Sequence, residues 1–303
     1  MKYRLTLFVV ALFSMPSFAS EWNQGLSLSI VQQQQRFQIN NEETRLAIRS
    51  PSFQYLVSYG PWSVNLSFNE GDASESQLNS GNNSRYSLRF EQSSYSLFMD
   101  YGLDDYWFSM GYLTSAESQA YWASADSIRT LSGNDIDIQS IVIEAGSGWY
   151  FSDSQFTASI ALTHQAIDEA FNFFQNTSAP FSATSFNSDE YNESAYVGDL
   201  RLQYQHYVAL NEQAHCVIGI GIQHSETLDG SANISQTTQV RVAGNQLLSN
   251  EDELYIESAS ESTSIQFQLG YLLDYGSINL ATDKLVDDDW RDALIELGIT
   301  LYF

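Results

Sequence analysis

Beyond residue 20 no apolar run is long enough to cross a bilayer as a helix, which needs about 20 residues. Apolar and polar residues instead alternate, segment after segment. Leu26, Leu28 and Ile30 alternate with serines, and Trp62, Val64, Leu66 and Phe68 with Ser63, Asn65 and Ser67. Tyr86, Leu88 and Phe90 follow the same rule, as do Phe156 to Leu162, Leu200 to Tyr204 and Ile265 to Tyr271. A period of two puts one set of side chains on each face of an extended strand. No long segment carries the 3.6-residue period of an amphipathic helix. An all-β chain with one apolar and one polar face is either a soluble sandwich or a barrel standing in lipid.

The N-terminus separates these two. Lys2 and Arg4 precede a short apolar stretch, Leu5 to Phe13, followed by Ser17-Phe18-Ala19. That order predicts a signal peptide over 1–19, cut after Ala19, with a barrel domain over 20–303. Composition points the same way. Charged residues make up 16% of the chain against the usual ~25%, aromatic residues 14%, and prolines number only 4. The single cysteine, Cys216, leaves no internal disulfide and does not place the chain in a compartment.

The connections sort by length. Short ones fall at Gly60-Pro61, Gly102-Leu103-Asp104, Ser152-Asp153-Ser154, Asn211-Glu212-Gln213 and Tyr275-Gly276. Long polar ones lie near 35–43, 71–83, 123–136, 171–193, 228–257 and 285–291. Short and long alternate, as in a membrane barrel with tight periplasmic turns and longer outer loops. The reading is a transmembrane up-and-down antiparallel β-barrel of about 12 strands, both termini on the short-turn side. The expected spans are 24–34, 44–59, 62–70, 84–101, 105–122, 137–151, 155–170, 194–209, 213–227, 258–274, 276–284 and 292–303. A phase change near Ser93-Ser94 predicts a bulge. Residues 232–242 and 254–257 extend strands nine and ten past the membrane, turning near Gly244-Asn245. Aromatics gather at the short turns: Tyr59, Trp62, Tyr101, Tyr106, Trp107, Trp149, Tyr150, Phe151, Phe156, Tyr271 and Tyr275. Amphipathic rings prefer the membrane–water interface, so these read as a periplasmic girdle.

The last strand is apolar on alternate residues to its end: Ile295, Leu297, Ile299, Leu301, Phe303. With Tyr302 beside a terminal Phe303, it resembles the closing strand of bacterial outer-membrane proteins. The whole of 20–303 resembles the translocator barrel of autotransporters and, more closely, solitary autotransporter-like barrels without a passenger. That resemblance implies an outer-membrane location and a barrel-assembly signal in Ile299, Leu301, Tyr302 and Phe303, read by the barrel-assembly machinery. Autotransporters thread a helix through the barrel ahead of strand one. Here only Ser20 to Gln24 separate the predicted cleavage site from that strand, which argues against an exported passenger.

Charge narrows the function further. The formal net charge is −25, and removing Lys2 and Arg4 with the signal takes it to −27. Nucleic-acid binding needs a basic face and is excluded as a class. Asp287-Asp288-Asp289, Glu251-Asp252-Glu253, Asp189-Glu190 and Glu70 to Glu75 fall in expected outer loops. Carboxylate oxygens suit Ca²⁺ or Mg²⁺, which would bridge such loops to lipopolysaccharide, although no dedicated ligand spacing occurs. Positions expected in the lumen mix signs: Arg45, Arg49, Arg89 and Arg201 against Glu91, Asp199 and Glu296.

The histidines offer little chemistry. Gln223-His224-Ser225 is the nearest approach to an outer-membrane lipase site, but adjacent strand residues point to opposite faces. They cannot form the nucleophile–base hydrogen bond that acyl transfer requires. No histidine set has metal-ligand spacing, and no cofactor motif appears. The expectation is a non-catalytic barrel, a narrow cation-preferring channel or a passive autotransporter-like barrel, with a surface adhesin or receptor built on the 228–257 region as the alternative and an outer-membrane phospholipase-like enzyme behind it.

Overall fold

The computed structural model describes residues 22–39, 42–79, 84–125, 127–178, 182–211, 213–243, 245–287 and 290–303. The predicted signal peptide lies outside the described residues. The strands are β1 (Trp22–Ile39), β2 (Glu42–Tyr59), β3 (Trp62–Asn79), β4 (Ser84–Leu103), β5 (Tyr106–Ala125), β6 (Ile128–Tyr150) and β7 (Ser154–Thr177). They continue with β8 (Ala183–Asn211), β9 (Ala214–Val242), β10 (Asn245–Glu257), β11 (Glu261–Leu273), β12 (Gly276–Leu285) and β13 (Leu294–Tyr302). Each pairs antiparallel with its neighbour, and β13 closes on β1 from Gln32↔Ile295 down to Gly25↔Tyr302. Among the described residues the only helix is a 3₁₀ turn, Trp290–Asp292, so no described helix threads the lumen.

Thirteen strands make twelve staves. β10 and β11 both run antiparallel to β9, one above the other, and form a single stave interrupted at 258–260. On β9 the register slips at Leu228, which has no partner between Tyr196↔Asp229 and Val197↔Thr227. The described strands shift register at two further points, Leu210 on β8 and Leu247 on β10, both close to turns. The bulge expected near Ser93-Ser94 is absent, since β4 pairs with β3 and β5 in unbroken register.

The lower half of the wall carries a continuous apolar belt. Leu28 and Ile30, Leu97 and Met99, Phe108 and Met110, Ile141 and Ile143, Ile218 and Ile220, and Leu297 and Ile299 all stand outward and exposed. On β4 this run extends from Leu103 to Tyr95, about 26 Å along the strand at ~3.3 Å per residue, the scale of an apolar membrane band. Rings mark its lower rim at the short turns. Trp62 stacks on Tyr101 at 4.6 Å and Trp149 on Phe156 at 5.5 Å. Its upper rim is also aromatic, with Phe68 on Tyr95 at 5.0 Å, His164 on Tyr196 at 4.8 Å, and Trp290 over Phe267 and Lys284. Gly60, with φ of 55°, and Asp104, with φ of 44°, take the left-handed geometry of the tight lower turns.

Above the belt the barrel is far taller than the sequence suggested. The segments read as long loops are mostly strand, and the described part of 285–291 alone is largely irregular. The acidic runs at 70–75, 189–190 and 251–253 therefore lie on strands; Asp287 is in a turn, and residues 288–289 are outside the described residues. β8 and β9 have 29 residues each, about 95 Å of strand, whereas β13 has 9, about 30 Å. The wall is thus high along β4–β10 and low along β11–β13.

Above the belt the β4 wall turns inside out. On β4 odd-numbered residues point outward throughout: Met99, Leu97 and Tyr95 in the belt, then Glu91 and Arg89 above it. Even-numbered residues point inward, and above the belt they become Phe90 and Leu88, which are buried. An outer face that is apolar along the belt fits lipid, and on β4 the apolar residues above it move to the interior; β5 to β8 keep an outward apolar row higher up, Trp122, Leu131, Phe174 and Phe186. That change of side in unbroken register, not a bulge, produces the phase change in the sequence.

Candidate functional site in the barrel lumen

The inversion re-sorts the charges expected in the lumen. Arg49, Arg89 and Glu91 are exposed on the outer face above the belt, a correction to their lumen assignment, and Arg89 pairs there with Glu91. The side chain of Arg45 lies outside those described. Asp199, Arg201 and Glu296 point inward. At belt level inward alternation adds three acids that sequence reading missed: Asp100, Glu144 and Asp283. Each was legible from its strand phase, Asp100 with Phe98 and Glu144 with Val142. At belt level the described lumen therefore holds five carboxylates, Asp100, Glu144, Asp199, Asp283 and Glu296, and one guanidinium, Arg201. The other described basic side chains, Arg49, Arg85, Arg89, Arg129, Arg241 and Lys284, fall on the outward phase of their strands.

Neutral polar side chains complete the lining and hold the charges in place. Ser63 donates to Asp100 at 3.1 Å, and Gln266 to Asp283 at 2.9 Å. Arg201 donates to Gln223 Oε1 at 3.0 Å, while Gln223 Nε2 donates to Asp199 at 3.3 Å. Gln205 donates to Gln268 across the bore-facing ends of β8 and β11 at 2.8 Å. Cavities open among these described residues. One, of about 290 Å³, is lined by Phe98, Val142, Glu144, Ser159, Ala161, Thr163, Asp199 and Arg201. Another, of about 240 Å³, lies among Gln203, Gly219, Gly221, Gln266, Gln268, Asp283 and Glu296. Glycines set the bore against bulky neighbours. A Cβ on Gly146 would lie 2.1 Å from the Trp107 ring, and one on Gly111 would lie 2.2 Å from Phe98. Trp107 thus points into the lumen instead of joining the outer girdle.

Above the belt a constriction closes one side. β2 pairs with β3 only up to Arg49↔Asp72, although β2 continues upward with β1 and β3 with β4. The freed β1–β2 hairpin crosses the inner face of the wall. Leu46 and Ile48 pack on Leu88 and Phe90, over Ala73 and against Tyr121, and Ile48 and Phe90 have no exposed surface. The crossing point is Gly71, where a Cβ would sit 1.9 Å from Ser50 Oγ. Two amides latch it: Gln92 Nε2 donates to Ser50 Oγ at 2.6 Å, and Gln33 donates to Gln92 Oε1 at 2.8 Å. On the opposite wall the Tyr191 hydroxyl donates to Glu193 at 2.6 Å, and burial together with that carboxylate pushes its pKa up to about 12. Burial also raises the Glu117 carboxyl.

The lipase-like pair does not assemble. His224 is outward, its Nδ1 3.0 Å from the Thr263 hydroxyl and its Nε2 3.9 Å from Glu261. Ser225 is inward and donates to Asp199. Among the described residues no group of three or more His, Cys, Asp or Glu side chains is arranged to hold a metal ion. At the seam, Ile299 and Leu301 face outward and Tyr302 faces inward beside Gly25. Phe303 exchanges two backbone hydrogen bonds with Gln24, at 3.0 and 2.9 Å.

No protein-family model and no curated protein matches the sequence. Solved structures do match in fold. The translocator domain of the autotransporter NalP from Neisseria meningitidis superposes with a TM-score of 0.57 at 8% identity, over 100% of this chain and 95% of that one. The β domain of the Bordetella autotransporter BrkA gives a TM-score of 0.51 at 9% identity, over 92% and 98%. The fold of this chain is that of an autotransporter-type translocator barrel, twelve staves around one lumen.

Proposed function

We propose that the chain is a non-catalytic integral barrel of the bacterial outer membrane whose lumen is a narrow, cation-preferring conduit. The observation that carries this reading is the sorting of charge by face: five inward carboxylates and one inward arginine at belt level, with the other described basic groups outward. Low-dielectric walls bearing one sign of charge concentrate the opposite ion. The outward acids above the belt belong to the same reading, with Ca²⁺ or Mg²⁺ bridging them to lipopolysaccharide phosphates. Ile299, Leu301, Tyr302 and Phe303 at the seam serve the barrel-assembly machinery.

The test is single-channel recording of the refolded protein under a salt gradient, with and without millimolar Ca²⁺. A reversal potential of the cation-selective sign is expected. Arg201→Gln removes the one inward guanidinium and should strengthen that preference, whereas Glu144→Gln with Asp199→Asn should weaken it. Anion preference, or indifference to all three substitutions, would refute the reading. A second reading has its own support. The tall outer sheet, with β10 exposed along its whole length, fits a surface receptor or adhesin.

A further inference from the structure

Among the described residues β10 has neighbours on one edge only. It pairs with the upper part of β9, from Asn245↔Val242 to Glu257↔Ser231, and ends the strand order of the sheet. The stave that would flank it stops lower down, since β12 reaches only Leu285, opposite Ser264 of β11. Among the described residues no strand lies on its other side. Roughly half of its 13 residues therefore direct backbone N–H and C=O groups into open space.

The two faces of this edge differ. Register with β9 puts Leu248, Asn250, Asp252, Leu254 and Ile256 on the inner side, opposite Val240, Thr238, Gln236, Ile234 and Ala232. On the outer side stand Glu251, Glu253 and Glu257, opposite Thr237, Ser235 and Ser231. No base on β9 faces those acids; Arg241 lies at the tip, opposite Gln246. Natural edges are commonly blunted by charge, lysine above all, by proline or by a covering loop, and the charge on this edge is all acidic, Glu251, Asp252, Glu253 and Glu257. This one keeps exposed Leu254, Tyr255 and Ile256 and contains neither lysine nor proline.

The geometry points to strand addition at β10 by an extended segment of a partner protein, alternating apolar residues on the inner face with lysine or arginine on the outer. Backbone bonding to the free edge gives such a segment its affinity, and alternate side chains give specificity. Basic side chains placed across from Glu251, Glu253 and Glu257 form the opposite-charge pairs that favour neighbouring strands. A second copy of this chain fits poorly, because each β10 brings four carboxylates and no base. This inference is independent of conduction through the lumen.

The experiment titrates the refolded full chain, at low salt, with a labelled short peptide alternating lysine and valine. The comparison peptides alternate glutamate and valine, or carry N-methyl groups on every second amide of the lysine peptide. Saturable binding of the lysine peptide is expected, with slowed amide exchange confined to 245–257 and the adjoining peptide. N-methylation should abolish it. The triple variant Glu251→Gln, Glu253→Gln and Glu257→Gln should weaken it by about tenfold while the barrel stays heat-modifiable. Equal binding of the N-methylated peptide would mean charge attraction alone and would overturn strand addition. So would equal binding of the glutamate peptide, absence of lysine-peptide binding, or self-association of the chain through β10.

Discussion

Phe90→Ala is expected to widen the conducting path and to free the β1–β2 hairpin without unfolding the barrel. Phe90 has no exposed surface and fills the contact among Leu46, Ile48 and Leu88. Truncating a buried phenylalanine costs about 3–5 kcal/mol. Here that cost falls on a docking equilibrium, because above Arg49 the hairpin has lost its hydrogen bonds to β3 and is held inward by packing and two amide latches. A shift of that size moves a closed hairpin to a largely undocked one. Single-channel conductance should rise severalfold, and protease should cut within 33–48, while heat-modifiability is kept. Leu88→Met, which conserves volume, should change little. Gly71→Ala gives an independent route to the same state, since its Cβ would collide with Ser50 where the strands cross. If protease reaches the hairpin and conductance does not change, the hairpin does not limit the bore. If neither the parent nor Phe90→Ala conducts, the filled region lies lower, among Arg201 and its partners.

The sequence carried the strand count because alternation survives wherever one face is wet and the other is not. It did not carry which face was wet. On β4 the apolar set moves from Tyr95, Leu97 and Met99 to Phe90 and Leu88, and a two-residue period registers only that the set has changed phase. Read as a bulge, this sent Arg89 and Glu91 into the lumen; read as a change of side, it leaves the backbone regular and puts both outside. Arg49 follows the same logic on β2. Asp199, Arg201 and Glu296 sit in phase with belt residues, where lipid is outside, and there the same rule leads inward.

Strand length was illegible for a related reason. Above the belt, both faces carry serine, asparagine and acids, as at 183–194, so contrast between faces is weak and the segments resemble loops. Backbone pairing with long neighbours keeps them extended regardless. The β10 stave was partly visible, since 232–242 and 254–257 read as extensions turning near Gly244-Asn245. Its free edge was not, because it depends on where β12 stops. The crossing at Gly71 was equally hidden: it follows from β2 leaving β3, a long-range event with no local signature.

One arginine placed twice on the same face tests the change of solvent directly. Met99 is outward at the middle of the β4 belt run, flanked by Val64 and Met110. Met99→Arg puts a guanidinium against hydrocarbon, and the expected loss is about 2–4 kcal/mol, the midplane cost of a charge on a barrel's lipid face. Ser118 is outward on β5 above the belt, between Glu91 and Asp135. Ser118→Arg there meets water and two carboxylates, so its effect should lie within about 1 kcal/mol and be neutral or stabilising. The measurement is the denaturant midpoint of the folded, heat-modifiable form in lipid vesicles. Equal losses would mean that lipid reaches the level of Ser118 and that the upper wall is not in water. Equal indifference would mean that Met99 does not face lipid, and the belt itself would be misplaced. The expected asymmetry would put the boundary between the two solvents near Tyr95 and Tyr112, where the unbroken run of large apolar side chains on the outward side of β4 and β5 ends.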